Sequence, residues 1–427
     1  MTNQAPADVW SGLTSHKKTS PRGRARRSLS LLPPAGTVVG VAPVLRLWKS
    51  CIFASKESSS GLGFFADHLG VRYAMGASSG RAALWAILKG LHNLRPGRNI
   101  VAIPAYTCFS VAASIAKAGL KLYPVEINPK TLDFDYQHLV KVPQSGLLCI
   151  VTSNLFGFVN DLENLRKVAA EKGAFVVDDA AQSLGATRNG YRSGTSCDVS
   201  FFSFGRGKPL PIGEGGVAVT NSEEIAESVT EQLAGMKAST KLDDAILSAK
   251  CIATSAFVSR RLFRIPDSLP FLNLGKTRFD PAFPTRELAP LSRELTRDLL
   301  KNVDALNEAR RRTAAWITQA IGENEDFAFP SPSKSCNPTY LRFPIVAKSR
   351  ELREKALKEL RCAGIGASSF YPSAICDIPN IERWTPDREF HCPGAENLAS
   401  KLLTLPTHSQ VEKKDANLVA RVLANLA

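Results

Sequence analysis

The sequence predicts an α/β fold, with a large domain whose mostly parallel central sheet is flanked by helices and a smaller C-terminal α+β domain. Three observations lead there. From Val71 onward short apolar runs alternate with helical stretches, the pattern of strands joined by crossover helices. The 427 residues, 44% of them apolar, suffice for a large core and more than one domain. Beyond Thr220 the alternation gives way to a basic helical stretch, a Pro-rich passage and then a smaller unit.

Taken in order, residues 1–27 carry Lys17, Lys18, Arg22, Arg24, Arg26 and Arg27 against Asp8, five of the fifteen net positive charges. This Ser/Gly/Pro-rich stretch reads as a disordered, solvated tail. Arg26-Arg27 ahead of LSLLPPAGTVVGVAPVL has the outline of a twin-arginine export signal. Pro33, Pro34 and Gly36 interrupt the helix such a signal needs, and the uncharged run is short for a bilayer, so no integral membrane segment is expected. The net charge of +15 suits an anionic ligand, but charge alone is weak ground for a nucleic-acid partner, and none is expected. Nine scattered cysteines without a CxxC pair disfavour a disulfide framework and a structural zinc site, and fit a reducing cytoplasm. The six histidines show no ligand spacing, so no metal is expected.

The large domain is expected over 28–285. Its candidate strands are VRYAMGA, NIVAIPA, LKLYPVEI, LLCIVTSN, AFVVDDA, DVSFFSF and GVAVT. Helices are predicted over 81–91, 110–118 and 161–171, the last capped by Asn160 or Asp161 and closed by Gly173. The stretch 245–263, with Lys250, Arg260 and Arg261 beside apolar residues, has the outline of a membrane-surface helix. Packing against its own domain or a second subunit is the preferred reading. The smaller domain is expected over 286–427, with a helix over 286–321, the segment TYLRFPIVA, a helix over 350–362 and a last helix from 411.

Lys208 poses the chemical question. A Walker loop needs glycines flanking a four-residue spacer and Ser or Thr after the lysine. Here Phe202 stands where the first glycine is required, and Pro209 follows Lys208. A lysine that holds pyridoxal phosphate as an imine instead needs a carboxylate to keep the ring nitrogen protonated. AFVVDDAAQSLGA supplies Asp178 and Asp179 at the end of an apolar strand, where a ligand of an open sheet sits. Of the two, the one leaving toward the loop is the candidate. GASSGRAALWAIL provides a Gly/Ser turn into a helix, a phosphate site in outline.

Four pieces in this order, SSGRAAL, PAYTCFSVAASIAKAGLKLYPVEINPKTLDFD, VVDDAAQSLGA and DVSFFSFGRGKPLPIGEGGVAVT, resemble the DegT/DnrJ/EryC1/StrS family of sugar aminotransferases, pyridoxal-phosphate enzymes of fold type I. A fifth, GIGASSFYPSAI, resembles that family's small-domain segment. The resemblance implies that Lys208 binds the cofactor and shuttles protons and that Asp179 pairs with its ring nitrogen. Gln182 would lie against the ring, and Ser79, Gly80, Arg81 and Ser203 would hold the phosphate. Arg81 stands where relatives usually have Thr, which would make that contact a guanidinium fork. Cys108 occupies the place of an aromatic ring stacked on the cofactor, with Tyr106 and Phe109 as alternatives. Asn154, where relatives often have His, and Tyr371 would face the substrate.

The implied reaction moves an amino group from a donor, glutamate by resemblance, to a keto sugar joined to a nucleotide, in a homodimer. A pyridoxamine-dependent dehydratase is a rival, but such relatives carry His in place of the lysine. A cysteine desulfurase using Cys336 would need His where Gly207 stands. A catalytically silent regulator of the same fold is the rival of another class.

Overall fold

The computed structural model describes residues 28, 30–53, 62–269, 277–386 and 389–426, and the side chains of 50–53 are not described. The expected tail over 1–27 lies outside the described residues. Seven strands form one sheet: β1 (Tyr73–Ala77), β2 (Ile100–Pro104), β3 (Lys121–Val125), β4 (Leu147–Val151), β5 (Phe175–Asp179), β8 (Val199–Ser203) and β9 (Gly216–Thr220), in the order β1-β9-β8-β5-β4-β2-β3. Between β5 and β8 lies a short hairpin, β6 (Thr187–Arg188) and β7 (Tyr191–Arg192). The pairs from β3 through β8 are parallel, whereas β9 runs antiparallel to β8 and β1. Strand β4 is buried at all five positions, as a parallel strand covered on both faces must be, which is why it reads as an unbroken apolar run.

The covering helices are α1 (Val41–Phe53), α2 (Gly63–Leu69), α3 (Gly80–Leu94), α4 (Phe109–Lys117), α5 (Tyr136–Leu139), α6 (Leu162–Glu171), α7 (Glu223–Ala234), α8 (Lys241–Phe257) and α9 (Arg264–Asp267). Asp161 is the cap of α6 and accepts from the Asn164 amide. Helix α8 starts at a capping box between Thr240 and Asp243, four residues before the expected start at 245, and ends at Phe257.

The helix expected over 286–321 is two helices, α10 (Pro290–Leu300) and α11 (Val303–Ile321). Proline in the first turn of α10 gives up an amide that would be unpaired anyway. Leu291, Leu295 and Leu300 share a core cluster with Phe65, Phe202, Phe204 and Leu247. Residues on both sides of position 286 thus share one core cluster.

Helix α11 leads to β10 (Phe327–Ala328), β11 (Cys336–Asn337), β12 (Phe343–Ala347), α12 (Arg350–Cys362), α13 (Pro393–Lys401), β13 (Leu402–Leu405) and α14 (Lys413–Ala424). Strands β10, β12 and β13 make a second sheet, while β11 pairs with β6 and ties the two units together. Leu32 packs in the small-domain core, and its amide donates to the Gly364 carbonyl at 2.8 Å.

Candidate active site

The ends of β1, β8 and β9 converge on the first turn of α3. Ser79 caps that helix, its Oγ accepting from the Ala82 amide at 3.2 Å. The turn is pinned to β9 by the Gly215 amide, which donates to the Ser78 carbonyl at 2.8 Å. Side chains are excluded here by contact: a Cβ on Gly80 would stand 2.6 Å from Ser203 Cβ, and one on Gly216 would stand 2.5 Å from the Gly80 nitrogen. Backbone amides at a helix start and the Ser203 hydroxyl therefore share one small concavity, the chemistry that binds a phosphate.

Arg81, at the start of α3, lies against an aromatic ring. Its guanidinium carbon lies 4.8 Å from the centroid of the Phe283 ring, a cation–π arrangement, and Lys117 Nζ lies 5.1 Å from the same ring.

Lys208 follows the β8 end through a turn in which its amide donates to the Gly205 carbonyl at 3.2 Å. Gly207 makes the turn possible with φ of +74°, a left-handed conformation that disfavours side chains. The Lys208 ammonium is felt at Asp179. Burial pushes the Asp179 carboxyl up to about 6, and the Lys208 charge is the largest influence opposing that rise. Asp179 Oδ1 accepts from the Ala181 amide at 3.0 Å, while no donor among the described residues is paired with Oδ2. One carboxylate oxygen is thus left for a ligand's N–H.

Asp178 is committed elsewhere. Successive strand residues face opposite sides of the sheet, which separates the two carboxylates. Asp178 is fully buried and accepts from Thr152 Oγ1 at 2.6 Å, Asn154 Nδ2 at 2.7 Å and the Gly194 amide at 2.9 Å. Burial raises its carboxyl above the usual range, against the pull of those three donors. Thr152 also accepts from the Asp179 amide at 3.0 Å, so one hydroxyl holds both aspartates in place.

Asn154, expected at the substrate, lies beneath the cleft instead. It is 1% exposed, and its amide group also reaches Ser183 Oγ and Ser193 Oγ at 3.2 Å, while its oxygen accepts from the Asn160 amide at 3.0 Å. A side chain so committed supports Asp178 rather than a sugar.

Gln182 is held at both ends, Oε1 accepting from the Phe156 amide and Nε2 donating to Tyr371 Oη, each at 3.1 Å. Burial, followed by the nearby Cys108 and Asp179, raises the Tyr371 phenol well above its usual range. Cys108, Asp179 and Gln182 therefore stand around the Tyr371 phenol. Cys108 Sγ accepts from Ser110 Oγ at 2.9 Å. Of the two alternative rings, Tyr106 is fully buried 5.5 Å from the Tyr371 ring, and Phe109, the first residue of α4, packs in a core cluster with residues of α3.

One side chain missed by sequence reasoning stands on the same wall. Arg342 Nη1 donates to Ser368 Oγ at 3.1 Å, and a Cβ on Gly207 would lie 4.0 Å from its Nη2. Burial lowers the guanidinium to about 10, which leaves it charged at neutral pH. The signal was a charged residue inside the apolar run TYLRFPIVA.

A cavity of about 220 Å³ lies beyond the ends of β3 and β4, lined by Asp133, Tyr136, Asp161 and Arg188. It contains none of the candidate residues, and its charges are spent on one another, with Arg188 paired to Asp161 at 3.1 Å. Among the described residues no cluster of His, Cys, Asp and Glu could hold a metal ion, and no helix is long and apolar enough to cross a membrane.

Residues 63–251 and 288–424 match the model of the DegT/DnrJ/EryC1/StrS aminotransferase family. A pleiotropic regulatory protein of Geobacillus stearothermophilus is 25% identical over 356 residues, 83% of this chain and 84% of that protein. A dTDP-3-amino-3,4,6-trideoxy-alpha-D-glucose transaminase of Streptomyces venezuelae is 25% identical over 356 residues, 82% of each chain. Among solved structures, E. coli GDP-4-keto-6-deoxy-D-mannose-3-dehydratase with bound hydrated PLP shares the fold, with a TM-score of 0.71 over 92% of this chain and 99% of that one at 19% identity.

Proposed function

Because the chain belongs to the DegT/DnrJ/EryC1/StrS aminotransferase family, we propose that it is a pyridoxal-phosphate enzyme that moves an amino group from an amino-acid donor, glutamate in the first instance, to a keto sugar carried on a nucleotide. The observation that carries this reading is the open oxygen of Asp179 within the field of Lys208, beside the cradle made by Ser79, Gly80 and Ser203. These residues suit the cofactor's chemistry: a cradle at Gly80 with no room for a Cβ, a carboxylate oxygen left open on Asp179, and the Lys208 amine within electrostatic reach of it.

Bound pyridoxal phosphate would supply an electron sink for the carbon that loses its proton. The chain's own groups do the rest. The α3 amides and the Ser203 hydroxyl would hold the phosphate, and Asp179 Oδ2 would keep the proton on the ring nitrogen. Gln182, fixed by Phe156 and Tyr371, orients the ring from its side. Lys208 Nζ would anchor the cofactor and, once freed by the donor amine, would take the proton from the donor carbon and deliver it to the cofactor's side. We further propose a homodimer, as the family resemblance implies, and a cytoplasmic location, which the scattered, unpaired cysteines support.

The relative named as a pleiotropic regulatory protein keeps regulation as a second reading. One experiment separates them. Purified protein loaded with pyridoxal phosphate is expected to absorb in the visible, form a borohydride-trapped adduct, and aminate one of a panel of keto-sugar nucleotides with glutamate. Lys208→Ala is expected to lose both adduct and turnover. Turnover that survives in the alanine variant overturns the catalytic assignment, and cofactor binding without turnover on any sugar or donor favours the regulator.

A further inference from the structure

Helix α11 buries two polar side chains one turn apart, Asn307 at 0% exposure and Arg310 at 2%, where a core-facing helix ordinarily places apolar ones. Among the described residues Arg310 pairs with no carboxylate. Its Nη1 donates to Asn307 Oδ1 at 2.7 Å, and its Nη2 donates to the Pro209 carbonyl at 3.2 Å and to Thr37 Oγ1 at 3.4 Å. Burial lowers the guanidinium to about 10, so it stays charged at neutral pH. A buried charge without a counter-ion costs stability that an apolar side chain of similar volume would not. Filling the core therefore does not account for an arginine here.

The carbonyls that this pair holds lie in two different loops. Pro209 directly follows Lys208, in the loop that the Gly213 amide closes by donating to the Phe204 carbonyl at 2.8 Å. At the other end Asn307 Nδ2 donates to the Leu184 carbonyl at 2.9 Å. Leu184 belongs to the run of turns after β5, where the Ser183 amide donates to the Ala180 carbonyl at 3.1 Å and the Ala186 amide to the Ser183 carbonyl at 2.8 Å. That run starts at Asp179 and contains Gln182. Asn307 comes so close to it that a Cβ on Gly185, whose φ is +85°, would run into Nδ2. The register of β5 on β8 ends at Asp179 and Phe201, so the place of Lys208 relative to Asp179 needs a support outside the sheet. The path from the Pro209 carbonyl through Arg310 and Asn307 to the Leu184 carbonyl is such a support.

We propose that Arg310, with Asn307, is a positioning residue of the cofactor site, a clamp that holds the Lys208 loop at a set distance from the loop of Asp179 and Gln182. The inference rests on the pyridoxal-phosphate reading above. A flat ring held between an amine and a carboxylate tolerates little change in their separation, since a misplacement of about 1 Å can cost on the order of a hundredfold. A guanidinium suits the task because its planar fork holds several N–H groups in fixed directions, which an ammonium does not. Both side chains stand on a helix, a stiffer support than the loops they grip.

The test uses the full chain. Arg310→Met keeps the length and removes every donor, Arg310→Lys keeps the charge without the fork, and Thr37→Val removes a contact of Arg310 that belongs to neither loop. In cofactor-free protein, amide hydrogen exchange over 180–186 and 205–213 is expected to quicken about tenfold in both loops together in Arg310→Met, and to stay within about twofold of the parent in Thr37→Val. Affinity for pyridoxal phosphate, read from visible absorption, and the borohydride-trapped adduct on Lys208 at limiting cofactor are expected to fall at least about tenfold in Arg310→Met and about threefold in Arg310→Lys. Exchange that quickens in one loop alone overturns the proposal, as does an affinity in Arg310→Met within about twofold of the parent. Thr37→Val losing as much affinity as Arg310→Met also overturns it, since that would be the signature of disturbed packing. Should Arg310→Met not fold, the lysine variant decides by the same readings, and parent-like affinity there overturns the clamp. A parent that takes up no pyridoxal phosphate overturns the reading of function and the clamp's role with it, whereas a parent that does so beside variants that bind alike overturns the clamp alone.

Discussion

Gln182 and Tyr371, 189 positions apart, meet at 3.1 Å, the buried amide of one donating to the buried phenol of the other. The Gln182 carboxamide is also held by the Phe156 amide. Tyr371→Phe keeps the ring and removes the acceptor. The expected outcome is a fall in kcat/KM of about tenfold, or roughly 1.4 kcal/mol, with melting shifted by no more than a lost buried hydrogen bond, about 1 kcal/mol. Steady-state kinetics and thermal melts check both.

Gly80→Ala tests the cradle. Its methyl would stand 2.6 Å from Ser203 Cβ and 2.9 Å from Ser203 Oγ, closer than side-chain atoms tolerate. Either the serine or the turn into α3 must move, and both hold the phosphate in the proposed reading. Cofactor affinity, read by titration of the visible band, is expected to fall at least about tenfold, with a stability loss of about 1–3 kcal/mol.

How far the site was legible follows from how local its causes are. The seven strands announced themselves because a strand covered on both faces must be apolar throughout. Asp179 stands out in the sequence because it closes the apolar strand β5, and Lys208 because it follows the apolar strand β8 within a Gly-rich turn. Asn154 was misplaced because its role is decided by Asp178, Ser183 and Ser193, which only the fold brings within 2.7 to 3.2 Å. The contact of Arg81 with Phe283 was illegible for the same reason, since that ring comes from the Pro-rich passage. The break between α10 and α11 has neither Pro nor Gly at Lys301-Asn302 to mark it, and packing of Leu300 and Val303 into the large-domain core sets the turn.

Asp179→Asn separates stability from chemistry. In the cofactor-free protein the carboxyl rises from 3.8 to about 6 through burial, so between those values the native chain holds more protons than the unfolded one. Stability therefore falls as pH rises through that window, a loss of order 3 kcal/mol once pH exceeds about 6. Asparagine cannot ionise and escapes this cost. The variant is expected to be more stable than the parent near pH 7.5, with roughly half that advantage near pH 5, while activity drops at least about a hundredfold for want of a partner to the ring nitrogen. Urea unfolding of the cofactor-free proteins at the two pH values checks the first part; an advantage independent of pH would contradict it.

Arg342 gives the last prediction. Its guanidinium stands beside Gly207, retains its charge at neutral pH despite burial, and is aimed by Ser368 on the small-domain side of the cleft. A planar cation so placed suits the carboxylate of an amino-acid donor, which it would grip through two parallel N–H groups. Arg342→Gln keeps a donor to Ser368 but loses the charge, and Arg342→Lys keeps the charge but loses the fork. The KM for the donor is expected to rise about tenfold or more in the glutamine variant and less in the lysine variant, with the KM for the keto sugar unchanged. Equal rises for both substrates would instead assign Arg342 to the architecture of the wall, since a residue that only shapes the cleft has no reason to distinguish the carboxylate from the sugar.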